Sequence, residues 1–183
     1  MKYKTITLKA PKNAEYTSVK LKFEIIEDIN KFVNNLLKKQ DIIFAEKTAP
    51  VEYVICKQNN KKITTNSTVL YNKKLYSIFE TKNYASVGDF IIIKNAGLNR
   101  KYAMHINTAL KRYVFNPKQP SGVVAPIPRL EKFIKVDKNI VFASPWNEQM
   151  CLLKGGYLNI TGHRYYAIQQ YAFKLTYKIV KQP

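Results

Sequence analysis

Cations and tyrosines alternate through the second half of this chain. Arg100, Lys101, Lys111 and Arg112 interleave with Tyr102 and Tyr113. Further on, Arg164, Lys174 and Lys178 interleave with Tyr157, Tyr165, Tyr166, Tyr171 and Tyr177. Arginine and lysine neutralise phosphates, and an exposed phenol ring stacks on a base, so the pattern suits recognition of a polyanion. Arg100 and Arg164 take matching places in two similar stretches, each beside a hairpin loop, and are the leading candidates for anion contact. Tyr165 and Tyr171 replace Lys101 and Asn107 of the first stretch and are the aromatic candidates for exposure. Tyr102 and Tyr166 sit inside apolar strands and read as core.

Catalytic chemistry has less material. The two histidines, His105 and His163, do not occupy matching positions, and a surface or packing role accounts for each. After residue 89 the only acids are Glu131, Asp137 and Glu148, which make no paired-carboxylate or two-metal pattern. Two cysteines and two histidines lack the spacing of a metal cluster. Gly88-Asp89 precedes a strand, whereas a phosphate-binding loop opens a helix. It reads as a turn whose carboxylate accepts from nearby backbone N–H groups. Cys56 (in VICK) and Cys151 (in MCLL) read as buried free thiols in a reducing compartment. The expectation is a protein that binds and does not catalyse, with no metal and no cofactor.

Charge supports that expectation. The chain has 183 residues, 31 basic and 12 acidic, for a net charge of +19. Codon bias in an AT-rich genome explains lysine over arginine (27 against 4) but not the shortage of acids. Self-repulsion at this charge opposes folding, and a polyanionic partner offsets it. The charge is uneven, +7 over residues 1–89 and +12 over residues 90–183. Lys57, Lys61, Lys62, Lys73 and Lys74 cluster on two expected turns of the first half and form a second basic edge, or simply a solvated surface. No apolar run reaches the roughly 18 residues of a membrane span. The N-terminal stretch lacks the apolar core of a signal peptide, so a cytoplasmic protein is expected, with no membrane partner.

These residues need elements to hold them. Alternation predicts strands over residues 3–8 and 19–25. Ile29, Phe32, Val33, Leu36 and Leu37 form an apolar stripe of helical period behind Asp28 as N-cap. Short strands are expected over 41–45 and 51–56, and a hairpin over 68–79 turns at Asn72-Lys73. The two similar stretches then follow. In the first, Phe90–Ile93 is a strand, Arg100–Met104 returns, and Asn107 caps a short helix over 108–112. In the second, Tyr157–Ile160 and Arg164–Ile168 play the strand roles. Arg-x-Tyr-Ala recurs at 100–103 and 164–167, and a second tyrosine follows the first by eleven residues in both. That fixed spacing favours a duplication over chance similarity of hairpins. Pro117, Pro120, Pro126 and Pro128 make the stretch between them extended and stiff. Trp146 is expected to anchor the second unit.

Residues Ser86-Val87-Gly88-Asp89-Phe90, with Tyr102 and Tyr113, resemble a small domain of phage and plasmid proteins known as the PGDYG family. Val87 stands where that pattern has proline and Phe90 where it has tyrosine. The second copy, Lys154-Gly155-Gly156-Tyr157, lacks the aspartate. The resemblance covers about thirty residues per copy and implies a mobile-element origin, with no catalytic residue to carry over.

The fold expected is α+β: mainly antiparallel strands, one N-terminal amphipathic helix, and two repeated hairpin-plus-short-helix units. The organisation expected is an N-terminal unit over 1–116 that includes the first repeat (87–115), a linker or crossing arm over 117–129, and a second unit over 130–183. The alternative is one compact domain. The function expected is binding of nucleic acid or a nucleoprotein complex, with inhibition of a host defence or replication complex as one use. Blocking a host protein without touching nucleic acid, and binding a small anionic nucleotide, are the alternatives.

Overall fold

Alternating side chains and tight turns dominate the chain, and strands result. The computed structural model describes residues 1–144, 149–162 and 165–181. Trp146, the expected anchor, lies outside them, as do His163, Arg164 and Glu148. The elements of the first half are β1 (Tyr3–Leu8), β2 (Val19–Ile26), α1 (Ile29–Leu37), β3 (Ile43–Lys47), β4 (Val51–Ile55), β5 (Lys61–Tyr71) and β6 (Lys74–Ala85). Then come β7 (Phe90–Asn95), β8 (Tyr102–Met104), α2 (Ile106–Leu110), β9 (Ser121–Val124), β10 (Leu130–Lys135) and β11 (Ile140–Ala143). The last are β12 (Gln149–Leu152), β13 (Tyr157–Asn159), β14 (Tyr166–Ile168), α3 (Gln170–Thr176) and β15 (Tyr177–Ile179).

Strands take 50% of the described residues and helices 12%. The fold is therefore mainly β, which corrects the expected α+β class with repeated helical units. The cause is local. The helices that follow the two hairpins have only 5 and 7 residues, too short to stand as a layer of their own. The first also starts earlier than its sequence suggests. His105, not Asn107, is the N-cap, and its Nδ1 accepts from the Asn107 backbone N–H at 3.3 Å.

The one amphipathic helix forms as its stripe predicts. Asp28 Oδ1 accepts from the Lys31 N–H at 2.9 Å, which satisfies one of the orphan donors of the first turn. Val33 on its inner face joins Ile134, Ile140, Leu152 and Leu158 in one core cluster.

Three sheets and one long hairpin make the frame. Their strand orders are β1-β2-β11-β12, β14-β13-β10-β3-β15 and β8-β7-β4-β9, with β5 and β6 paired alone. The β2–β11 pair is parallel and the other pairs are antiparallel. The proline-bearing stretch contributes β9, which pairs with β4 from Val51↔Val124 to Val54↔Ser121. The β5–β6 hairpin turns at Asn72 (φ 48°) and Lys73 (φ 61°). Two successive left-handed residues match the twist of the strands they join. The hairpin is longer than its sequence suggests. Lys61 and Lys62 lie on β5 itself, not in the preceding turn. Cys56 and Cys151 are buried and unpaired. Among the described residues no helix is long and apolar enough to cross a membrane.

Candidate nucleic-acid interface

The two similar stretches meet through their tyrosines. The phenols of Tyr102 and Tyr113 lie close enough to influence each other's ionisation, and so do those of Tyr166 and Tyr177. The eleven-residue spacing thus brings together the two phenols of each copy. Glu131 on β10 sits at the centre of the second pair. Its Oε2 accepts from Asn159 Nδ2 at 2.6 Å, from Tyr166 at 2.8 Å and from Tyr177 at 3.4 Å. Lys47 links the copies: it lies opposite Tyr177 in the β3–β15 pair and donates to the Tyr113 hydroxyl at 2.6 Å.

Electrostatics in this cluster follow from burial and neighbours. Burial, reinforced by Glu131, holds the Tyr166 phenol far above its ordinary value. Burial, then Tyr166 and Glu131, does the same to Tyr177, and burial and Tyr102 raise Tyr113. For Tyr102 burial also pulls upward, but Lys47, Arg100 and Arg112 outweigh it and hold the phenol below its ordinary value. Satisfied networks of this kind fix one arrangement of the strands that carry them. The expected core role of Tyr102 and Tyr166 needs refinement: both are half buried, with their hydroxyls in a polar cluster.

Arg100 does not face an anion from solution. Its Nη2 donates to Glu80 Oε2 at 2.9 Å, with the two side chains 17% and 1% exposed. Glu80 also accepts from Ser67 on the neighbouring strand. The guanidinium stands 5.5 Å from the centre of the Tyr102 ring. Burial opposes its charge, but Glu80 and Tyr102 stabilise it and raise its pKa. Arg164, the matching candidate, lies outside the described residues.

Lys101, the next residue, points the other way and is exposed. It lines a groove of about 450 Å³ together with Lys61, Lys62, Thr64 and Asn66 of β5. Asn99 completes the polar side, and Val54, Ile63, Ile91 and Ile93 supply the apolar side. Among the described residues, three lysines and no acid line this space. Ile63 and Ile91 belong to the small cluster by which the hairpin packs against β7. The same contact that seats the hairpin therefore sets its lysines beside Lys101.

The other candidates are dispersed. Lys111 caps the end of α2. Arg112 is exposed and interacts electrostatically with Tyr166, Tyr102 and Glu131. Lys174 on α3 and Lys178 on β15 are exposed. Tyr165 and Tyr171 are half buried, and Tyr165 packs against the core cluster of α1. Gly88 has φ 89°, and Asp89 Oδ2 accepts from the Ser86 N–H at 2.8 Å, so this pair is the turn its sequence suggests.

Sequence reasoning missed Glu80, Glu131, Lys47 and Asn159 as partners. The scarcity of acids was the available signal: a carboxylate on an alternating strand of so basic a chain has cations to meet. Among the described residues no group of three His, Cys, Asp or Glu side chains could hold a metal. Compared with family models, with curated proteins and with solved structures, the chain shows no match.

Proposed function

We propose that the protein binds nucleic acid, free or within a nucleoprotein complex, and that the groove of Lys61, Lys62 and Lys101 is the contact. The observation that carries this reading is the lining: three lysines and three neutral polar side chains over apolar residues, with no acid among them. Phosphate oxygens meet the ammonium groups, and sugar and base meet the half-buried Val54 and Ile93. The net charge of +19 adds a long-range attraction for the same ligand. Such a protein acts by occupying its target. The likeness of residues 86–115 to the PGDYG domain fits a mobile-element protein that obstructs a host complex in this way.

The test is oligonucleotide binding across a salt series. Affinity should fall steeply as salt rises, because each neutralised phosphate releases counterions. Affinity that is flat from low to moderate salt contradicts the reading.

The volume of the groove favours a second reading. At about 450 Å³ it lies in the range of small-molecule sites, so a free nucleotide is the alternative ligand. A thermal-shift screen separates the two. A nucleotide at 100 times its dissociation constant adds about 2.7 kcal/mol to stability.

A further inference from the structure

The groove continues onto an exposed face that carries aromatic rings. In the β5–β6 pair, Lys62 lies opposite Tyr84, Thr64 opposite Lys82 and Asn66 opposite Phe79. Residues directly opposite share a face. The alternating partners Ile63, Thr65 and Ser67 are buried on the other face, so this one is turned outward. Lys62, Thr64 and Asn66 also line the groove, which makes groove and face one continuous surface. Tyr84 is 68% exposed and Phe79 is 40% exposed. Lys82 Nζ stands 6.0 Å from the centre of the Phe79 ring.

Large exposed rings on a strand need an explanation when lysines flank them, because the same strand buries Tyr76 and Ile78 on its other face. We infer that this face is a stacking platform for single-stranded nucleic acid, with Tyr84 and Phe79 each taking one unpaired base while Lys61, Lys62 and Lys101 hold the backbone. The inference rests on the nucleic-acid reading above and narrows it to the single-stranded form. Charge selects the ligand: a run of phosphates complements the lysines, and every base offers a ring face to an aromatic side chain. Four register steps separate the two pairs, about 13 Å at strand rise. One base cannot span that distance, so the rings engage different nucleotides. A duplex, whose bases already stack on one another, gains nothing from the rings.

The test measures binding of a labelled oligothymidylate, an oligouridylate and a duplex of equal length to the intact chain and to Tyr84→Ala, Phe79→Ala and Tyr84→Phe. Loss of stacking should weaken single-strand binding about 5- to 150-fold for each alanine. Tyr84→Phe should bind like the parent. The salt slope should stay the same in all three, and duplex affinity should not change. Thermal melts confirm that the variants fold, as expected for exposed side chains. Single-strand binding unaffected by both alanines, with salt-dependent binding intact, overturns the stacking inference and leaves the nucleic-acid reading standing. No binding of any oligonucleotide at low salt removes both. Self-association that the two alanines abolish assigns the face to a second copy of the chain and overturns the inference.

Discussion

Arg100 Nη2 lies 2.9 Å from Glu80 Oε2, inside the protein. This pair ties the loop before β8 to the middle of β6. It turns Arg100 inward while Lys101 faces the groove. Breaking a buried pair leaves a charge without compensation and typically costs about 3–5 kcal/mol. Arg100→Ala and Glu80→Ala should each cost about that much in urea unfolding. Replacing both with apolar residues of similar volume should cost much less than the two single changes added together. If Arg100→Ala leaves stability unchanged, the pair is not what anchors the loop.

Tyr166 tests the tyrosine cluster. Its hydroxyl donates to Glu131 at 2.8 Å and accepts from Asn159 at 2.8 Å. Hydrogen bonds to charged groups contribute about 1.5–3 kcal/mol. Tyr166→Phe should lose roughly that amount in urea unfolding. Glu131→Leu should lose more, since it leaves two phenols without their acceptor and takes from Asn159 one of its two.

The same cluster sets an alkaline limit. Tyr113, Tyr166 and Tyr177 are raised above their ordinary value, chiefly by burial. A raised phenol keeps its proton in the folded state after the unfolded chain has lost it. Its contribution to stability is complete below the unfolded value of about 10 and is lost as pH rises through the folded value. Tyr102, which is lowered, acts in the opposite sense, and the three raised phenols outnumber it. Burial also pushes the Cys151 thiol up, to about 11. Melting temperature should be level across neutral pH and should drop above about pH 10. Tyrosine absorbance should show several phenols ionising only with unfolding.

Gly156 is a packing test. A Cβ there would overlap Cδ1 of Leu152 and lie 3.0 Å from the Leu153 carbonyl oxygen. Leu152 is fully buried and has little room to yield. Gly156→Ala should cost about 1–3 kcal/mol by thermal or urea unfolding. At Gly155, with φ 85°, the nearest neighbours of an added Cβ are 3.5 Å away on Gln170. Gly155→Ala should therefore cost only the left-handed backbone term of about 1–2 kcal/mol.

Local patterns were legible in the residues. Asp28 caps α1, the stripe from Ile29 to Leu37 forms its helix, and Asn72-Lys73 turns the long hairpin. Fold class was not legible from the repeated stretches. A five-residue helix such as α2 looks like an element in sequence but adds one turn between strands. The site was half legible. The lysines of the first half and Lys101 of the second carry no mutual signal in sequence, because long-range packing of β5 against β7 brings them together. Arg100 looked free because nothing nearby in sequence announces Glu80, twenty residues earlier.

In the proposed interface Lys61, Lys62 and Lys101 hold phosphates together. Replacing all three with glutamine and measuring single-strand affinity across a salt series tests it directly. Each phosphate contact on a single strand adds about 0.7 to the slope of log affinity against log salt. The triple variant should bind more weakly at low salt, with a slope shallower by roughly two. An unchanged slope would mean that the phosphates lie elsewhere on the protein and would rule out the groove as their site.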